Sequence, residues 1–189
     1  MGMIILQMMM SVDGFVSGPT SQLDWIINDP ELEKMHHQVL KEADSVLLGH
    51  NAYLEMSDFW IEAETDGDSN DGQRSLAKTL NAKPKTIIAT KDDSLGWKNS
   101  SLLQVEDEPD LIKKLKKLKT GTKGYLLLYG GVQTAQTLLT YGLVDELRLD
   151  VCPVALGDGK ALFPAHIKLE FINVKSYASG AMTVTYKPR

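Results

Sequence analysis

The chain has 189 residues, 43% of them apolar and 24% charged, with a formal net charge of −5. That length suits one well-cored domain over residues 1–189, and the composition excludes disordered, collagen-like and coiled-coil chains. The negative balance argues against a broad nucleic-acid surface, and the single cysteine, Cys152, excludes an intramolecular disulfide. No Cys/His spacing suggests a metal, and HExxH, GxSxG and the zinc-deaminase signature are all missing. No apolar run approaches the roughly 20 residues that span a bilayer. Residues 1–10 lack the features of a signal peptide, so a cytoplasmic protein without nucleic-acid or membrane partners is expected.

Residues 3–10 are nearly all apolar, as a strand buried on both faces requires. Ser11-Val12-Asp13-Gly14 is a turn signal, and Asp29-Pro30 opens a helix to about Ala43 with Leu32, Met35, Val39 and Leu40 on one face. A second strand covers 45–49, followed by a short helix over 50–56. The pattern weakens from 57 to 84, where the acidic, glycine-rich run 66–72 reads as an exposed loop. Strands follow at 86–90 and 101–105. A helix with Leu111, Ile112, Leu115 and Leu118 on one face then presents lysines on the other, a solvated face rather than a nucleic-acid patch. A strand at 125–129 leads into a helix over 132–141 that stops at Gly142. Strands at 146–151, 169–177 and 181–187 close the chain, the last two joined by a turn at 178–180.

Helices alternating with apolar strands, then a hairpin, give a three-layer αβα sandwich with a mostly parallel sheet and an antiparallel end. Ligands of such sheets sit at the carboxyl ends of strands. Gly130-Gly131, ahead of Val132, Gln133 and Thr134, either lets backbone approach a phosphate or simply makes a tight turn. Gly49, His50, Asn51 and Ala52 form a second such junction, and Thr90 with Lys91 a third. Three anion-compatible strand ends together suggest a phosphorylated ligand such as a dinucleotide.

Acid/base candidates are Asp13, which could equally shape its turn, and Glu31 and Glu33 on the first helix. Trp25 could stack on a planar ring or merely pack. The methionines at 8, 9 and 10 belong first to the core, with one face available as a soft pocket wall. His36 and His37, being adjacent on a helix, are expected to face different ways, and Cys152 to be an inert strand thiol. The apolar run 147–156 suggests a sheet edge and hence a homodimer.

The set Ser11-Val12-Asp13-Gly14-Phe15-Val16, Leu48-Gly49-His50-Asn51-Ala52-Tyr53, Tyr129-Gly130-Gly131 and Val144-Asp145-Glu146-Leu147 resembles the dihydrofolate reductase-like superfamily. With the run 153–164, it resembles more narrowly the C-terminal reductase domain of the bifunctional riboflavin-biosynthesis deaminase/reductase. The resemblance implies an NADPH-dependent reductase, with NADH a second candidate cofactor, acting on a pterin or riboflavin-precursor pyrimidine. A non-catalytic nucleotide-binding module of the same fold is the alternative. It implies a pyrophosphate turn at Gly130, Gly131, Val132, Gln133 and Thr134, and a second phosphate site at Gly49, His50, Asn51 and Ala52. Thr90 and Lys91 would lie near the adenosine 2′-phosphate, and the backbone of Met9 and Val16 at the nicotinamide carboxamide. Asp13 and Trp25, with Met10, would border the substrate, and Glu33 would lie nearest the acid of the first helix. Where relatives usually read Gly-Arg-x-Thr, this chain has Gly49-His50-Asn51-Ala52, which removes a permanent charge and a hydroxyl from the second phosphate site.

Overall fold

A computed structural model describes residues 2–91 and 95–189. In chain order the elements are β1 (Met3–Ser11), β2 (Phe15–Ser17), α1 (Pro30–Glu42), β3 (Ser45–Gly49), α2 (His50–Ala63) and α3 (Asp71–Ala82). They continue with β4 (Lys85–Ala89), β5 (Ser100–Gln104), α4 (Glu108–Gly121), β6 (Tyr125–Tyr129) and α5 (Val132–Thr140). The chain ends with β7 (Glu146–Cys152), β8 (Lys160–Ala161), β9 (Leu169–Ser176) and β10 (Met182–Pro188).

Eight strands form the main sheet in the order β5-β4-β3-β6-β1-β7-β10-β9. The first six are mutually parallel, while β10 runs antiparallel to both β7 and β9. The apolar character of β1 follows from its place near the centre. Ile4 and Leu6 enter one core with α4 and α5, while Ile5, between them in sequence, enters the other with α1, α2 and α3. Leu126 and Leu128 on β6 alternate with Leu127 in the same way. Both faces of a parallel sheet are covered, so neither face can be polar. The expected fold class is what the chain adopts.

Three local expectations change. α2 runs on to Ala63, and α3 occupies part of the stretch read as weakly patterned. α3 begins with a reciprocal capping box between Asn70 and Gln73, and buries only Ala77 and Leu80. The acidic, glycine-rich run 66–72 overlaps the start of α3, so a loop signal covers its first turn. Third, β7 is not at an edge: β1 and β10 flank it, and its Leu147 and Leu149 are core. The edge on that side is β9. Cys152, the last residue of β7, is buried, and burial pushes its thiol pKa up, consistent with an inert residue.

Candidate active site

Because β4, β3 and β6 are neighbours, the three strand ends singled out in the sequence lie side by side. They open on a cleft of about 680 Å³ lined by His50, Asn51, Ala52, Thr90, Lys91 and the start of α5 from Gly131 to Thr134. Gly49 and Gly130 are not in its lining; they set the backbone that carries it. The structure adds Glu55, Ile88, Ala89, Val105 and Lys160 to the lining.

The ends of the helices around this cleft differ from the others. α1, α3 and α4 are each capped by a side chain, Asp29, Asn70 and Asp107, and carry acidic residues in their first turn. α2 and α5 start at Gly49 and Gly131, with neither a side-chain cap nor a first-turn acid. A helix start with no side-chain cap and no acid in its first turn keeps its positive dipole end uncompensated, the arrangement that favours an anion. The two ends also pack tightly. A Cβ on Gly131, whose φ is +85°, would lie 3.1 Å from the Ala52 Cβ, and one on Gly49 would collide with the Thr134 hydroxyl. Across the junction the Asn51 amide donates to Gln133 Oε1 at 3.3 Å.

Lys160 reaches the cleft through the run 153–164. Asp13 anchors this run by accepting from the N–H groups of Leu156 at 3.1 Å and Gly157 at 2.7 Å. β2 pairs with β8, and the Gln136 amide donates to the Ala161 carbonyl at 2.8 Å. The Ser11 hydroxyl, then the Gly157 N–H, hold the Asp13 carboxyl at about 2, below its ordinary 3.8. A carboxylate so held anchors the run 153–164 to the turn after β1.

A second cleft, about 480 Å³, lies along α1 and is lined by Met9, Ile26, Ile27, Glu33, His36, His37 and part of α3, among others. Met9 and Glu33 both line it. Met10 does not: strand alternation turns it into the opposite core, beside Val16. Nor does Trp25, whose indole N–H donates to the Gln22 carbonyl at 3.2 Å while its neighbours Ile26 and Ile27 provide the wall. Both adjacent histidines line this cleft, against expectation, because they reach apart within it. His37 Nε2 lies 2.6 Å from the Thr79 hydroxyl, and His36 Nε2 lies 2.7 Å from Asp150 Oδ2.

Asp150 is the residue that sequence reasoning missed. It sits on β7 opposite Met9, fully removed from solvent. Its carboxylate accepts from the Thr183 hydroxyl at 2.5 Å and from the Gln7 amide at 3.3 Å, besides meeting His36. The Tyr177 hydroxyl lies 3.0 Å from Thr183 Oγ1. Burial first, and the Asp150 charge second, push the Tyr129 hydroxyl up to about 12. The one available signal was an aspartate interrupting the apolar pattern of 147–151, and it does not name its partners.

The sequence profile of the family described as the RibD C-terminal domain matches residues 2–184. An uncharacterized protein of Bacillus subtilis (strain 168), YyaP, is 28% identical over 186 residues, covering 97% of this chain and 93% of that protein. Among solved structures, a putative riboflavin biosynthesis protein from Shewanella sp. PV-4 is similar with a TM-score of 0.70 at 19% identity, covering 99% of each chain. The riboflavin biosynthesis reductase Rib7 of Saccharomyces cerevisiae matches with a TM-score of 0.63 at 15% identity, covering 100% of this chain and 90% of that one. A dihydrofolate reductase from Enterococcus faecalis, complexed with NADP(H), matches at 0.60 and 11% identity, covering 100% and 97%. At these identities the structures speak for the fold.

Proposed function

This chain belongs to the RibD C-terminal domain family, and from that premise we propose that it is an NADPH-dependent reductase of a small flat heterocycle, of the pterin or riboflavin-precursor pyrimidine class. The observation that carries this reading is the pair of uncapped helix starts, α2 and α5, meeting at one cleft. In this reading a dinucleotide pyrophosphate would sit at the start of α5, held by the amides of Val132, Gln133 and Thr134, where Gly131 lets α5 pack closely on Ala52. Asn51 and His50 would hold the second phosphate region, with Lys91 and Lys160 as cations along the cleft. When bound, the nicotinamide supplies a hydride. The chain supplies orientation through Met9 on β1, and the cleft along α1 receives the ring to be reduced, at a C=N or CH–NH type bond.

The test is thermal stabilisation by NADPH and NADH, followed by NADPH oxidation with pterins and pyrimidines. Stabilisation without turnover on any ring would favour the binding-module reading, and no stabilisation by either cofactor would refute both. The same reading places the protein in the cytoplasm; among the described residues no helix is long and apolar enough to cross a membrane.

The reading includes a homodimer, now at the β9 edge rather than β7. Phe171, Ile172 and Val174 stay exposed on that edge strand. A second copy running antiparallel across a two-fold at Asn173 sets Ile172 against Val174 and satisfies both open edges. Sedimentation should show a dimer that Ile172→Lys dissociates; a wild-type monomer at micromolar concentration would refute it.

A further inference from the structure

The buried carboxylate on β7 has no part in the fold's apolar logic. Asp150 is surrounded by sheet and helix, and a chain needing only a core would fill its place with an apolar side chain at no loss. Instead three side chains far apart in sequence converge on it. Gln7 comes from β1, His36 from α1 and Thr183 from β10, with Tyr177 behind Thr183. Of these, His36 lines the cleft along α1, and it does so beside Met9, the backbone partner of Asp150. Its side chain keeps 16% of its surface exposed while that of Asp150 keeps none.

From this geometry we infer that His36, held by Asp150, is the residue that contacts the heterocycle and delivers the proton of the reduction. The inference rests on the reductase reading. Nε2 is committed to the buried carboxylate, so the nitrogen left for a ligand is Nδ1, which no hydrogen bond among the described residues engages. Asp150 fixes the ring's orientation, as a buried aspartate does for a catalytic histidine elsewhere. The imidazolium then carries one proton held by Asp150 and one at Nδ1 free to leave. As the carbon of a C=N bond accepts the hydride that a reduced nicotinamide supplies, the bond's electron pair moves to nitrogen. That nitrogen takes the proton as the Nδ1–H bond breaks; the ring is reduced, the nicotinamide oxidised, and water returns a proton to His36.

Glu33 is less suited to the role. It lies on the exposed rim of the same cleft, near the start of α3, where Gly72 approaches it. No partner fixes its carboxyl as Asp150 fixes His36 among the described residues. Beside His36 in the cleft the other titratable groups are His37, Glu33 and Lys34 from α1, while Tyr129 from β6, Cys152 from β7 and Tyr177 after β9 lie within reach of the Asp150 charge. Burial lowers the His37 pKa and raises those of both tyrosines.

The experiment uses the full chain with ¹⁵N-labelled histidine, whose ring resonances report which nitrogen carries the proton. The wild type should show neutral His36 protonated at Nε2, and lumazine, a flat fluorescent pteridine, should shift its Nδ1 resonance. His36→Phe keeps the ring volume and should weaken lumazine binding about 10-fold, the weight of one charge-assisted hydrogen bond, with NADPH stabilisation unchanged. Asp150→Asn should move the neutral proton to Nδ1 and weaken lumazine binding without altering NADPH binding; if that variant does not fold, the wild-type tautomer and His36→Phe decide alone. A wild-type proton on Nδ1, saturating lumazine that leaves His36 unmoved, or no lumazine binding would each overturn the inference. A wild type that NADPH fails to stabilise would overturn the reductase reading, and proton delivery with it, while a moved Nδ1 would still establish His36 as the ring contact.

Discussion

The two clefts are built on opposite principles. The one at the ends of β3, β4 and β6 is made chiefly of backbone: glycines at 49, 130 and 131, two helix starts without caps, and polar side chains at its rim. The one along α1 rests on side chains, a buried aspartate compensated by residues 143, 114 and 33 positions away in the chain. A backbone site tolerates changes in most side chains and fails when a Cβ is added. A side-chain network fails when one polar atom is removed, because its partners stay buried without an acceptor.

That contrast can be broken first at Asp150. Asp150→Ala leaves His36 Nε2, the Gln7 amide and the Thr183 hydroxyl without their carboxylate, and we expect a loss of about 3–5 kcal/mol in urea unfolding. A loss below about 1 kcal/mol would mean that the pair contributes nothing net, as for an exposed ion pair.

Gly131→Val attacks the backbone cleft in turn. A branched side chain at φ +85°, 3.1 Å from Ala52, should cost about 1–3 kcal/mol of stability yet leave a folded chain. Its defining effect is on ligand: stabilisation by NADPH should vanish, and an unchanged NADPH shift would refute the pyrophosphate assignment.

A smaller change sharpens the same cleft. His50→Arg restores a permanent charge at the start of α2 and should tighten NADPH by about 1 kcal/mol with little effect on NADH, as calorimetry would show. Equal gains for both cofactors would place the 2′-phosphate elsewhere.

The smallest expected effect concerns the loop that brings Lys160 to the cleft. Asp13 has its pKa depressed from 3.8 to about 2 in the folded chain, so its contribution is complete above 3.8 and lost as pH falls through about 2. The melting temperature of the wild type should exceed that of Asp13→Ala at neutral pH, and the gap should close over that acid window. A gap that persists at pH 2 would show that the anchor acts by packing rather than by charge.

What the sequence determined by itself was everything carried by short-range pattern. The apolar runs of β1, β3 and β6 name a doubly covered parallel sheet, because alternate residues such as Ile4 and Ile5 must serve two cores. The glycines at 49 and 131 name the strand-to-helix turns, because so close a packing of helix starts excludes a Cβ. Even the missing side-chain caps of α2 and α5 were there to be read, in the glycines at both N-cap positions, 49 and 131. Tertiary structure alone decided which strand is an edge, that Asp13 ties down residues 156 and 157, and that Met9 rather than Met10 meets the cleft along α1. It alone joined Gln7, His36, Asp150 and Thr183. The physical reason is that a buried polar group states only a requirement for partners, whereas sheet order and register choose which distant residues meet it.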